Sequence, residues 1–275
     1  MAHLDLIPKR HLSSFRKLAI GSWETAYDPT VYGTLTVRMD RALSYMEAFQ
    51  ARTGVRLTVT HLVLKALAEA LRRCPDANAV LRFGRIYLRQ RVTVSALVAR
   101  PEGDGVRLVP VRVADADRKS LEEVVAEVDA AVREDAGSRE GWRWVERVPS
   151  PLLRFFTRMV SFLAVTLNLD LGRFGLPRDA FGAAAVTDVG ALGLDTAYLP
   201  LVPFTRVPVF LAPGAVRKAA VVDAEDRVVV GQVMSVNASI DHRFIDGYHA
   251  GVLASTVREL LEDPFTAFGL PEAVK

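Results

Sequence analysis

Ser235-Val-Asn-Ala-Ser-Ile-Asp-His-Arg-Phe-Ile-Asp-Gly247 is a long β-type run that ends in a tight polar turn and opens a helix. Val228 to Ile240 reads as a strand, and the final helix is expected from about Gly247 to Leu261, stopped at Asp263-Pro264. His242 and Asp246 are four residues apart around the turn, with Gly247 available for an unusual backbone angle. A histidine with its ordinary pKa of about 6.5 can take a proton near neutral pH, provided that neighbouring groups fix its tautomer and orientation. The pattern His-x-x-x-Asp-Gly arises by chance only about 0.02 times in a chain of this composition. A loop histidine capping its own turn is the plainer reading that these residues leave open.

Working outward, the same alternation predicts strands at Gly33–Met39, Val92–Ala99, Val106–Val113, Ala183–Thr187, Pro208–Ala212 and Arg217–Val222. Two shorter strand signals within Ala79–Leu88 are broken at Gly84-Arg85. Helical spacing marks Ala42–Ala51, ending near Gly54, and Thr60–Arg73, whose Leu62, Leu64, Leu67 and Leu71 share one face before Pro75. A third helix, Ser120–Arg133, carries a capping box in Ser120 and Glu123. The fold class is α+β, a mixed sheet with flanking helices. No repeat, low-complexity linker or composition break divides the chain, so residues 1–275 are read as one domain.

One segment departs from this rhythm. Ser150-Pro151 starts a helix, with serine as cap and proline at the first helical position, and Leu152–Asn168 is apolar nearly all round. Such a helix is normally buried, against its own core or against another chain. A core helix, a subunit contact, a pocket lid and a membrane-surface helix are the readings it allows.

Composition narrows the partners. Lys and Arg number 35 against 32 Asp and Glu, net +3, and the two signs are interspersed, so a nucleic-acid surface is not expected. The longest strongly apolar run, Met159–Leu169, is too short for a membrane span, and the N-terminus has no signal-peptide core, which suggests the cytoplasm. Cys74 is the only cysteine and excludes a disulfide framework; it reads as structural. No Cys/His/Asp/Glu set has metal spacing. His61 is read as a packing or surface residue, His249 as a helix-surface residue with a place lining the site as the other reading, Gly190 and Gly193 as turn glycines, and Trp142 and Trp144 as packing anchors.

Asp241-His-Arg-Phe-Ile-Asp-Gly247 resembles the DHRxxDG signature of the acyltransferase (E2) catalytic domain of 2-oxo acid dehydrogenase complexes, a family with the chloramphenicol acetyltransferase-like sandwich fold. The resemblance covers most of the chain. Ser13–Ile20 is similar to the family's Arg-bearing N-terminal helix start, and His61–Leu71 with Pro75 and Asn78 to its KAxAxAL…P…N helix. Gly105–Val111 resembles the GLxVPV strand, and Ala185–Gly193 stands where the family has FTISNLGxxG.

The resemblance implies acyl transfer between a CoA or lipoamide-like thioester and a thiol or hydroxyl, at a channel between subunits of a homotrimer. His242 is then the general base. Asp246 holds the turn and pairs with an N-terminal arginine, for which Arg16 is the candidate, and Gly247 supports the site. Thr187 takes the place of the serine that hydrogen-bonds the tetrahedral oxyanion. CoA or acyl-CoA enters as substrate, and no metal is implied.

Three departures shape these expectations. The resemblance starts near residue 1, so a standalone catalytic domain without lipoyl attachment is expected, served by a lipoyl-bearing protein or by another acceptor. Thr187-Asp188 replaces Ser-Asn and sets a carboxylate beside the oxyanion position, unfavourable unless Asp188 points away or is paired. The apolar Ser150–Gly175 segment is longer than the family's connection. A non-catalytic trimeric scaffold and a small-molecule, antibiotic-type O-acetyltransferase are the alternatives, and trimers could build a larger assembly.

Overall fold

The computed structural model describes residues 3–10, 28–102, 105–135 and 149–272. Arg16, Ser13–Ile20, Trp142 and Trp144 lie outside them. In chain order the elements are β1 (Leu6–Pro8), β2 (Thr30–Arg38), α1 (Asp40–Thr53), α2 (Val59–Arg73), β3 (Ala79–Arg82), β4 (Arg85–Arg89), β5 (Val94–Glu102) and β6 (Gly105–Val113). There follow α3 (Leu121–Asp135), α4 (Ser150–Ser161), β7 (Ala184–Thr187), β8 (Val209–Pro213), β9 (Arg217–Val222), β10 (Val228–Asp241), α5 (Gly247–Glu262) and α6 (Pro264–Phe268). The alternation in the sequence therefore finds every one of these strands except the three-residue β1, to within a few residues at their ends.

The main sheet runs β2-β10-β8-β7-β5-β6, with β9 on the first part of β10. It is mixed: β7 is parallel to both β5 and β8, and the remaining pairs are antiparallel. A smaller sheet, β1-β4-β3, stands apart. Side-chain alternation sends Ala184, Val186, Val209, Leu211 and Val236 to a core shared with α2 and α5, where Leu62, Leu64, Leu67 and Leu71 are buried. Ala185 and Phe210 face the other way and pack with Val207 under Leu199 and Leu201. Both faces of the central strands are thus covered, which is why β7 and β8 read as continuous apolar runs.

The helix ends follow local chemistry. Ser120 Oγ accepts from Glu123 N at 3.2 Å while Ser120 N donates to Glu123 Oε2 at 2.8 Å, the reciprocal cap expected for α3. At α2 the cap is Thr58, which exchanges such bonds with His61, so His61 is a buried capping residue. Cys74 is buried at the end of α2, and burial pushes its thiol pKa up.

The segment after residue 149 differs from expectation. Pro149 occupies the cap position of α4, so Ser150 is the first helical residue and no side chain caps the helix. The helix is not continuous to Asn168: after Ser161 it widens over Phe162–Thr166, with Leu167 N donating to Phe162 O at 2.8 Å. It stops at Asn168, which takes a left-handed conformation (φ 59°) and exchanges hydrogen bonds with the backbone of Leu4. Nor is α4 buried in the chain's own core. Phe155 is 61 % exposed, and Leu152, Phe156, Met159 and Phe162 are also exposed, whereas Ser161, Ala164, Val165 and Thr166 just beyond are buried. Arg82 Nε donates to Thr166 O at 2.9 Å, so the segment is tied to the small sheet by its C-terminal turn.

Candidate active site

The turn after β10 is pinned from both flanks. Asp241 N donates to Pro208 O at 2.8 Å and His242 N to Pro29 O at 2.9 Å, which carries the ladder just past the ends of β8 and β2. Within the turn, Ile245 N donates back to Asp241 O at 3.1 Å. The side chain of Asp241, a residue only 4 % exposed, is clasped by Arg243 through Nε at 2.9 Å and Nη2 at 2.6 Å. A buried carboxylate paired in this forked way holds the backbone on both sides of the histidine.

His242 Nδ1 lies 2.9 Å from the carbonyl oxygen of Ile245. A carbonyl only accepts, so in the neutral ring Nδ1 carries the proton and Nε2 is the basic nitrogen. Asp246 caps α5: its Oδ1 accepts from Tyr248 N at 3.0 Å and His249 N at 3.2 Å. His249 then bridges two carboxylates, with Nδ1 at 2.6 Å from Asp246 and Nε2 at 3.3 Å from Asp76. It is a joint between α5 and the turn after α2, a role outside both readings of it from the sequence.

Gly247 is corrected. It is the first residue of α5, its φ is not in the left-handed region, and a Cβ there would meet no atom within 4 Å. The turn is made by Asp246 in extended backbone (φ −103°, ψ −172°), so no special angle is asked of the glycine. Gly190 matters in another way: a Cβ there would lie 2.4 Å from the backbone of Gly214. That close approach holds the Asp188–Gly193 turn against the end of β8.

Thr187 ends β7 on the sheet face of Ala185, away from α2 and α5. It is buried, and its Oγ1 has no hydrogen-bond partner among the described residues. Asp188 beside it is paired: Oδ2 accepts from Thr60 Oγ1 at 3.1 Å and Oδ1 from Ala191 N at 3.0 Å. Its charge is directed at the N-terminus of α2, where the helix dipole favours it. The condition for tolerating a carboxylate next to Thr187 is therefore met.

Thr187 and His242 are not brought together within one chain. The register Val186–Leu211–Ala238 places Thr187 near the start of the β10 pairing, and the histidine follows its far end. Two ladder spacings and four strand residues separate Thr187 from Asp241 by roughly 16 Å. Sequence reasoning also missed the carbonyls of Ile245 and Pro29, which any residue type supplies, and Thr60, whose only signal is its place at a helix start.

Three arginines line a cavity of about 710 Å³ beside this turn: Arg158 of α4, Arg206 from the loop before β8, and Arg243. Pro29 and Asp241, both bonded to the backbone of the turn, are in its wall. Among the described residues no group of three or more His, Cys, Asp or Glu could hold a metal ion, and no helix is long and apolar enough to cross a membrane.

Comparison with known proteins gives the same picture. In sequence the chain is 26 % identical over 223 residues to the dihydrolipoyllysine-residue succinyltransferase component of the 2-oxoglutarate dehydrogenase complex of Haemophilus influenzae, covering 80 % of this chain and 44 % of that protein. It thus spans less than half the length of this relative. In structure it resembles the cubic core of the pyruvate dehydrogenase multienzyme complex (TM-score 0.63, 19 % identity, 94 % and 99 % of the two chains). It also resembles chloramphenicol acetyltransferase (TM-score 0.53, 13 % identity, 93 % and 100 %), as expected for that fold. The family model of the 2-oxoacid dehydrogenases acyltransferase (catalytic domain) matches residues 11–139 and 180–268, passing over α4 and its flanks. With both the His242 turn and the Thr187 strand inside the matched residues, the chain belongs to this acyltransferase catalytic-domain family.

Proposed function

We propose that this chain catalyses acyl transfer between CoA and a thiol or hydroxyl acceptor, at a site assembled from two copies of the chain. The observation that carries the reading is the 2.9 Å contact from His242 Nδ1 to the Ile245 carbonyl, which leaves Nε2 as the base. Nε2 takes the proton of the attacking thiol or hydroxyl. The resulting anion adds to the thioester carbonyl, and the tetrahedral oxyanion accepts a hydrogen bond from Thr187 of a second copy. Collapse expels CoA thiolate, which recovers the proton from the imidazolium.

A buried hydroxyl with no partner is costly, about 1–3 kcal/mol, unless a ligand oxygen completes it, and that supports Thr187 as the oxyanion donor. In the single chain the hydroxyl is out of reach of solvent, so the donor role requires a local opening at β7. Asp246 acts through the backbone by capping α5, and Arg16 remains the candidate for its ionic partner. The separation of Thr187 from His242 supports a symmetric oligomer, a homotrimer in our reading, which could build into a larger core. We read 150–175 as an insert in a single domain. Lipoamide on another cytoplasmic protein is the acceptor class that fits the family.

His242→Ala is expected to lower acyl exchange between acetyl-CoA or succinyl-CoA and dihydrolipoamide by about 10²–10⁴-fold with little change in CoA affinity. Unchanged turnover would refute the reading.

A further inference from the structure

The cavity beside the catalytic turn carries charge that the acyl-transfer chemistry above does not use. Arg206 is half-buried in its wall, at a left-handed backbone position (φ 56°) between Val202–Thr205 and Pro208. That conformation is uncommon for a non-glycine residue, and local bonds hold it: Thr205 Oγ1 donates to Val202 O at 2.8 Å and accepts from Val207 N at 3.3 Å. Arg206 Nε donates to Ser161 Oγ at 3.3 Å, at the end of the α4 helix. No carboxylate pairs with Arg206 among the described residues. The nearby acid, Asp241, is already clasped by Arg243.

The guanidinium is therefore desolvated next to a second guanidinium. Burial is the main influence lowering its pKa, Arg243 adds to it, and Asp241 only partly offsets them. A third cation, Arg158, lies one helical turn before Ser161 and lines the same cavity, also without a carboxylate among the described residues. The remaining acid in the wall, Asp28, is engaged by Thr30 and by Tyr32 Oη at 3.2 Å. A desolvated arginine held in place without a counter-charge, as Arg206 is, is costly unless an anion completes it.

We propose that this cavity is a subsite for an anionic oxygen group of a substrate, a carboxylate or a phosphate, held by Arg206 with Arg158 as a second contact. The inference rests on the acyl-transfer reading for the identity of the substrate, and it deepens that reading. Arg158 and Ser161 fall between the two segments matched by the family model. The α4 segment thereby gains a part in the site, since Ser161 orients Arg206 and Arg158 adds charge to the cavity wall. An anion in this cavity sits next to the Asp241–Arg243 clasp that positions His242.

The test is equilibrium binding to the full chain, titrated with succinate, inorganic phosphate, CoA, dephospho-CoA, acetyl-CoA and succinyl-CoA. His242→Ala serves as background, so that the acyl-CoA ligands are not turned over. Arg206→Gln and Arg158→Gln are the variants, with Arg206→Lys as the conservative control. Loss of a charge-assisted pair is expected to weaken the recognised anion about ten- to hundredfold in Arg206→Gln, less in Arg206→Lys. Arg158 is exposed, so Arg158→Gln keeps the test valid if Arg206→Gln does not fold. A carboxylate source is identified if the variants remove a preference for succinyl-CoA over acetyl-CoA, and weaken succinate, while CoA is unaffected. A phosphate source is identified if they weaken CoA and inorganic phosphate: sparing dephospho-CoA assigns it to the 3′-phosphate, and weakening dephospho-CoA equally assigns it to the diphosphate. Binding of succinate or phosphate that depends on Arg206, in a protein that does not bind CoA, would retain the subsite and refute the acyl-transfer reading. Equal affinity of the parent, Arg206→Gln and Arg158→Gln for all six ligands would overturn the proposal.

Discussion

Thr187 offers the sharpest conflict between stability and use. Its hydroxyl is buried without a partner, so Thr187→Val removes an unsatisfied group at nearly constant volume. The variant is expected to gain about 1 kcal/mol in stability while losing about 10²–10³-fold in kcat, the magnitude of one oxyanion donor. Paired denaturation and kinetic measurements check it; a less stable variant with full activity would mark Thr187 as an ordinary strand residue. His61 gives a second prediction at this scale. Burial lowers its pKa, and Asp129 only partly offsets that, so the fold keeps it neutral while the unfolded chain takes a proton below about pH 6.5. Its contribution is present above that value and declines as the pH falls below it. His3 is shifted in the same direction by burial, so His61→Gln should flatten only part of the slope, as read from denaturant midpoints. The placing of His242 and Asp246 on either side of one turn was legible in the sequence because residue identity and spacing carry it. The tautomer was not, since the partner is the Ile245 carbonyl, and the reading of Gly247 failed because Asp246 in extended backbone makes the turn.

Among elements, strands and capped helices were legible wherever local periodicity and local caps agreed, as in α2 and α3. The α4 segment was not, because its path is set by groups far away in sequence. Asn168 ends it in a left-handed conformation, held to the backbone of Leu4 across 164 residues, and Arg82 reaches Thr166 from β3. Asn168→Ala should cost about 1–3 kcal/mol, from two lost hydrogen bonds and a strained backbone, and should loosen α4 without unfolding the main sheet. Hydrogen exchange would show faster exchange over 150–169 with β5–β8 unchanged. Uniform protection would mean that α4 is held elsewhere. The exposed phenylalanines of α4 show why an all-round apolar pattern misleads: composition records what a segment could bury, and packing in the folded chain decides which part it does.

At the scale of the whole molecule, the mixed sheet sets Thr187 and His242 at opposite ends of its central strands. Helix pairs could slide to correct such a separation; hydrogen-bonded register cannot. The sequence pointed to a shared site only through the resemblance carried by its motifs, whereas the register gives a geometric reason. A closed symmetric assembly repeats one interface, so each interface would pair His242 of one copy with Thr187 of the next. The most direct measurement is therefore complementation between two inactive chains, His242→Ala and Thr187→Ala, unfolded and refolded together in equal amounts. Random mixing leaves about a quarter of the interfaces with both intact residues, so the mixture should recover roughly a quarter of parental acyl-transfer activity. Activity no greater than the sum of the two variants refolded separately would contradict the account and return the chemistry to a single chain.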